Sequence, residues 1–232
     1  MMFRPLVLAM TLAIPICASA QVGELRNDFA IGINGGYLLN RVDFSPTIKQ
    51  TWKGGETFGL TFRYTCEKYF SAYCAIQAEV NYANMGWKEL IETSDDKYSR
   101  NIKYVQVPIL ARLAWGKTAM VFLCAGPQVG YYLSETEHRS GEWTTMNLLL
   151  RPNQVTAQYG KVVERKFDYG LTGGLGMEIN TIIGHFTLEG RYYFALSDMF
   201  NNGKKDPFGR SANGAIFIKG GYLFDIIKTK KR

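Results

Sequence analysis

Beyond its first twenty residues the chain has no apolar stretch approaching the roughly 18 to 20 residues that a membrane helix needs. A helical inner-membrane protein is therefore excluded. Histidine is scarce, with only two in 232 residues, and the four cysteines follow no zinc-binding spacing. The formal charge is +7, yet no basic stripe interleaved with aromatics accompanies it, which argues against nucleic-acid recognition. Part of that charge lies in the terminal run Lys228, Lys230, Lys231 and Arg232, which reads as a solvated end.

What the chain does have begins at its start. Met1-Met2-Phe3-Arg4 is followed by the apolar run Leu6 to Ile14 and by Ala18-Ser19-Ala20 before Gln21. This is the n-region, h-region and small-residue cleavage site of a secretory signal peptide. The expected organisation is a cleaved signal over 1–20 and a single domain over 21–232. Cys17 is a poor lipid acceptor because Ile16 stands where a small residue is wanted. The remaining cysteines, Cys66, Cys74 and Cys124, are an odd number in an oxidising compartment.

The dominant signal is a period of two. From Thr57, Phe58, Leu60, Phe62, Tyr64 and Cys66 alternate with Thr57, Gly59, Thr61, Arg63 and Thr65, the period of a strand. Four more segments repeat it: Cys74 to Ala83, Tyr104 to Trp115, Phe167 to Ile179 and His185 to Leu196. Three less regular strands, near Asp28 to Leu39, Ala119 to Leu133 and Asn213 to Phe224, bring the expected number to eight, as a small membrane barrel requires. The connections alternate in length. Asn40 to Lys53, Trp87 to Ser99, Ser134 to Val162 and Ser197 to Ala212 are long, and Glu67 to Ala72, Gly116 to Thr118 and Asn180 to Ile183 are short. Short periplasmic turns and long outer loops have this rhythm, which puts both termini on the periplasmic side.

A soluble eight-stranded barrel shares the same period. Side-chain volume separates the two, because an eight-stranded lumen only just holds its own side chains. The large apolar face must then point outward, and an outward apolar belt is stable only against lipid. The opposite face carries Gly32, Gly36, Gly59, Gly126, Gly130, Gly170, Gly174 and Gly176, sizes suited to a crowded interior. Tyr37, Tyr64, Tyr82, Trp87, Trp115, Tyr131, Tyr132 and Phe224 fit interfacial girdles. The expected fold is all-β: one antiparallel, eight-stranded, up-and-down transmembrane barrel.

Charge adds a test, since ionised groups in a narrow lumen need partners. The inward parity collects Arg63, Arg112, Arg191 and Lys219 with Glu79, Asp168, Glu178 and Glu189, four of each sign. The expected lumen is plugged by this ion-pair network, with Arg63 diagonal to Glu79 and His185 reaching Glu178. Cys66 and Cys74 share an outward face across a short turn, so a cross-strand disulfide and two free thiols stand as alternatives. The longest loop carries Trp143, Met146, Leu148, Leu149 and Leu150 and is the candidate partner surface; a mobile loop or a hairpin extension is the plainer alternative.

The run Tyr104-Val105-Gln106-Val107-Pro108-Ile109-Leu110-Ala111-Arg112, the glycine-rich Asp168 to Gly176, Leu188-Glu189-Gly190-Arg191-Tyr192-Tyr193 and Gly32-Ile33-Asn34-Gly35-Gly36-Tyr37 resemble the PorT-type outer-membrane barrels of the Bacteroidetes. The resemblance spans the chain beyond residue 20. It implies a barrel whose namesake serves the type IX protein secretion pathway, and it brings no catalytic residues. The expected partners are outer-membrane lipid and other envelope or secretion proteins, with no cofactor, metal, nucleic acid or small-molecule substrate.

Two functional classes follow. One is an accessory component of protein secretion; the other is a stand-alone surface barrel acting as adhesin or envelope stabiliser. A lipid-modifying barrel enzyme is a distant third. It would need a serine beside a histidine at the rim, and His138 with Ser134 or Ser140 has no persuasive acidic orienter. The expectation is a non-enzymatic protein.

Overall fold

A computed structural model describes residues 23–151 and 155–229; the expected signal segment, 1–20, lies outside them. Nine strands follow in order: β1 (Glu24–Ser45), β2 (Gln50–Thr51), β3 (Lys53–Tyr69), β4 (Ala72–Glu89), β5 (Lys97–Gly116), β6 (Ala119–Ser140), β7 (Phe167–Asn180), β8 (His185–Ala195) and β9 (Arg210–Ile227). Every pairing is antiparallel, and β1–β3, β3–β4, β4–β5 and on through β8–β9 and β9–β1 close a ring of eight. The two-residue β2 is an accessory, paired to the end of β4 at Gln50 and Glu89. Closure leaves no unpaired edge within the ring, which is what hydrocarbon surroundings demand. Among the described residues no helix is long and apolar enough to cross a membrane.

The alternation survives as geometry. Ile33, Phe58, Leu60, Ile109, Leu123, Leu171, Leu175, Leu188 and Ile218 point away from the lumen and are exposed, a contiguous apolar belt around the wall. Asn34, Thr61, Gln77, Glu79, Gln106, Gln128, Thr172 and Glu189 point inward and are buried. Inward glycines let the wall close: a Cβ on Gly174 would stand 2.1 Å from the Gly190 carbonyl oxygen and 2.7 Å from Arg191 Cα.

The strands run well past the belt at the long-loop end. β5 starts at Lys97, inside the loop expected over Trp87 to Ser99, and β6 continues to Ser140, past the expected start of the longest loop at Ser134. Beyond Leu133 and Lys103 the outward positions become polar, with Ser99, Asn101, Thr136 and His138. The connections at the other end tighten to Phe70–Ser71, Lys117–Thr118 and 181–184.

The long-loop half of the interior is not polar. Leu38, Val42, Phe44, Met85, Trp87, Tyr98, Ile102, Tyr193 and Phe217 from the strands pack with Ile48, Val155, Val163, Met199, Phe200 and Phe208 from the loops into one buried cluster. Trp87 is fully buried there, against Phe44 at 5.2 Å and Phe200 at 6.3 Å between ring centroids. This corrects its assignment to the girdle: Trp87 continues the inward parity of Gln77, Glu79, Asn81, Ala83 and Met85. Tyr132 is likewise half-buried against the cluster, whereas Tyr37, Tyr64, Tyr131 and Phe224 are exposed on the outer wall.

Candidate functional site: a stoppered lumen and its loop platform

The polar half of the lumen lies toward the short turns and is organised around two carboxylates. Glu79 on β4 receives Arg191 Nη2 at 2.5 Å and Lys219 Nζ at 2.7 Å. Gln77 Nε2 and Asn81 Nδ2 also donate to it, at 2.7 and 2.8 Å, so both oxygens are saturated. Arg191 holds Glu189 as well, at 2.6 Å. Nearer the turns, Glu178 on β7 receives Arg63 Nη1 at 2.7 Å, Arg112 Nη2 at 2.6 Å and His185 Nδ1 at 3.3 Å. His185 Nε2 reaches Asp225 at 2.9 Å. Each of these arginine, lysine and glutamate side chains is at most 6% exposed, so the bonds lie inside the bore and span it.

Two pairings differ from expectation. Arg63 is diagonal to Glu79 in register, since Arg63 faces Gln77 and Thr61 faces Glu79. Its guanidinium nevertheless crosses the lumen to Glu178, while Nε bonds Gln77 Oε1 at 3.1 Å. Asp168 stands apart from the charge network. It accepts from Ser197 Oγ at 2.6 Å and Asn213 Nδ2 at 3.2 Å, at the boundary with the apolar half. Beside the short turns a cavity of about 180 Å³ is lined by Arg26, Arg63, Tyr73, Arg112, Glu178 and His185, among others.

Cys66 and Cys74 are free thiols. The register slips between Thr65 and Glu67, placing Glu67 and not Cys66 opposite Cys74, so the disulfide alternative is replaced by the two-thiol one. Cys124 is a third free thiol, buried inside the barrel.

The first residues of the longest loop extend the β5–β6 hairpin to Ser140, and the described part beyond it is tied to the barrel rim. A short helix, α1 (Thr145–Leu149), is capped by Thr144, whose hydroxyl accepts from the Asn147 amide at 3.2 Å. Asp96 anchors the segment, accepting from the Trp143 amide at 3.1 Å, Asn147 Nδ2 at 3.3 Å, Ser94 Oγ at 2.8 Å and Arg151 Nη2 at 3.0 Å. The Trp143 amide bond, with the other three donors, holds the Asp96 carboxyl below its ordinary range. Trp143 sits at φ +48°, a conformation that needs such support. Its ring is packed by Arg151 at 4.6 Å and Arg139 at 5.4 Å. Trp87 Nε1 donates to Gln158 Oε1 at 2.8 Å, and Tyr159 Oη bonds Glu89 at 2.8 Å and also Arg151. Burial pushes Glu137 up, and the Tyr98 hydroxyl, the Gly160 amide and Arg139 outweigh it to hold the carboxyl low.

The candidate loop residues thus divide. Trp143 and Leu148 are half-buried, and Met146, Leu149 and Leu150 are 67, 76 and 56% exposed. Sequence reasoning missed Asp96, Arg151, Gln158 and Tyr159, because their roles arise only when strands and loops meet. His138 Nε2 lies 3.3 Å from Asn101 Nδ2, and its register partner is Ser99. Among the described residues no group of three His, Cys, Asp or Glu could hold a metal ion.

A family model described as "Outer membrane protein beta-barrel domain" matches residues 19–201. No functionally curated protein matches the chain. Among solved structures the chain is similar to the following barrels. Ail, the attachment invasion locus protein of Yersinia pestis, is 14% identical over 85% of this chain and 99% of that one, TM-score 0.40. OprG, an outer membrane protein of Pseudomonas aeruginosa, is 16% identical over 87% and 98%, TM-score 0.45. The outer membrane enzyme PagL is 13% identical over 84% and 98%, TM-score 0.38.

Proposed function

The chain belongs to the outer membrane protein β-barrel family, and from that membership we propose that it is a closed, non-enzymatic barrel that acts through contacts at its ends. The observation carrying this reading is the double stopper in one bore. Cross-lumen ion pairs fill the half beside the short turns, and an aromatic cluster supplied partly by the loops fills the other. Neither half is expected to pass solute. The long-loop end faces outward and the termini face the periplasm, a placement supported by the short turns sharing an end with Glu24 and Ile227.

What remains available for recognition is the loop platform. Met146, Leu149 and Leu150 expose apolar surface on a segment fixed by Asp96 and Arg151, and a preorganised surface of this kind loses little entropy on binding. The partner we propose is another envelope protein of a secretion assembly, a reading supported by the resemblance of the strand motifs to PorT-type barrels. A stand-alone surface role, as adhesin or envelope stabiliser, is favoured instead by the apolar platform lying on the outward end, where a foreign surface is met.

Deletion of the gene tests the choice. The secretion role predicts cargo retained in the periplasm and restored by the wild-type chain, but not by Met146→Ser/Leu149→Ser/Leu150→Ser. An unchanged set of secreted proteins would overturn that role and leave the stand-alone reading.

A further inference from the structure

We propose that the lipid-facing cleft between β1, β9 and β8, at the long-loop edge of the apolar belt, binds the phosphate headgroup of a membrane lipid. The cleft has a volume of about 140 Å³ and is lined by Arg41, Asp43, Tyr192, Phe194, Arg210 and Gly214, among others. Register places it: Gly214 on β9 lies opposite Arg41 on β1 and opposite Phe194 on β8. All three belong to the outward phase of their strands. Having no side chain, Gly214 leaves a gap in the wall, and the Tyr192 hydroxyl sits 3.4 Å from where a Cβ would stand.

The charges at this gap do not cancel. Arg210 Nε pairs with Asp43 at 2.7 Å, and its guanidinium lies 5.5 Å from the Phe194 ring centroid. Arg41 rests over the Trp52 ring at 5.1 Å, and no carboxylate pairs with it among the described residues. The cleft therefore holds two guanidiniums and one carboxylate, which Arg210 takes, leaving the positive charge of Arg41 uncompensated at the edge of the apolar belt.

That combination selects the ligand's chemistry. Guanidinium groups offer planar paired donors that match phosphate oxygens. The cleft opens onto the surface that lipid covers, on the same outward phase of β9 and β8 as exposed Ile218 and Leu188, so acyl chains attached to the phosphate would lie along the belt. A free phosphate would gain the charge contact but none of the apolar one. The inference needs only lipid against the apolar wall; it is independent of the proposed partners and of which end faces outward.

The test is native mass spectrometry of the whole refolded barrel in detergent, with dioleoyl phosphatidic acid, the matching diacylglycerol and inorganic phosphate as separate probes. Retention of phosphatidic acid is expected to exceed that of the diacylglycerol by about tenfold, a difference of about 1.4 kcal/mol, and millimolar inorganic phosphate should not displace it. Arg41→Gln/Arg210→Gln, at one exposed and one half-buried position on the outer wall, is expected to abolish the difference while heat-modifiable gel mobility stays that of a folded barrel. Gly214→Leu, which fills the gap, should do the same, and Lys88→Gln should leave binding unchanged. Equal retention of the two lipids, undiminished binding by the arginine double variant, or full displacement by inorganic phosphate would each overturn the proposal.

Discussion

Arg191 and Glu79 stand on diametrically opposite strands of the ring, β8 and β4, yet their side chains meet at 2.5 Å in the middle of the bore. Arg63 on β3 and Glu178 on β7 are related in the same way, at 2.7 Å. An eight-stranded lumen is narrow enough for long side chains to span it, and these bonds tie together walls that no backbone ladder connects directly.

Removing one partner therefore leaves charge stranded. Glu79→Gln leaves Lys219 without a carboxylate partner and Arg191 with only Glu189. The expected cost is about 3–5 kcal/mol, the range for breaking a buried pair from one side, read from urea unfolding of the barrel refolded into lipid vesicles. A loss below about 1 kcal/mol, the scale of an exposed pair, would contradict it.

Trp87 should behave as core, not as a lipid anchor. Trp87→Ala opens a cavity among Phe44, Tyr98 and Phe200, and about 3–5 kcal/mol is expected from such a truncation. Tyr37→Ala, at a side chain 54% exposed on the outer wall, should cost distinctly less. The temperatures at which the two variants lose heat-modifiable mobility order them; a reversed order places Trp87 outside.

The loop platform should respond to acid in a defined sense. The Trp143 amide and its fellow donors hold the Asp96 carboxyl below the ordinary aspartate value. The stabilisation is thus fully present above about pH 4 and is lost as pH falls through the lower folded value. Hydrogen exchange across 141–151, corrected for its intrinsic pH dependence, should stay slow from pH 7 to about 5 and rise only below about 4. Asp96→Asn should exchange fast already at neutral pH, and platform protection indifferent to both changes would remove Asp96 from its role.

Much of this was legible in the sequence. The period of two in residues such as Phe186, Leu188, Tyr192 and Phe194 located strands, and volume assigned their faces. Parity put Arg63, Glu79, Arg112, Glu178, Glu189, Arg191 and Lys219 inside, but it carries no information on which cross-lumen partner a flexible guanidinium reaches. The apolar half stayed hidden because it is assembled from positions read as loop, such as Phe200 and Phe208, and from Trp87, which lies past Gly86 in a segment read as loop. A bulge after Thr65 displaced Cys66 from Cys74, and no local residue pattern announces such a slip. Asp96 and Arg151 were invisible for a related reason, as ordinary polar loop residues until the chain brings them to 3.0 Å.

The proposed closure of the lumen is tested most directly by conductance in a planar lipid bilayer. The purified barrel should insert without producing sustained current steps, because ion pairs close one half of the bore and the aromatic cluster the other. Stable open-channel steps of the size given by a wide porin, in protein shown to be folded, would contradict it.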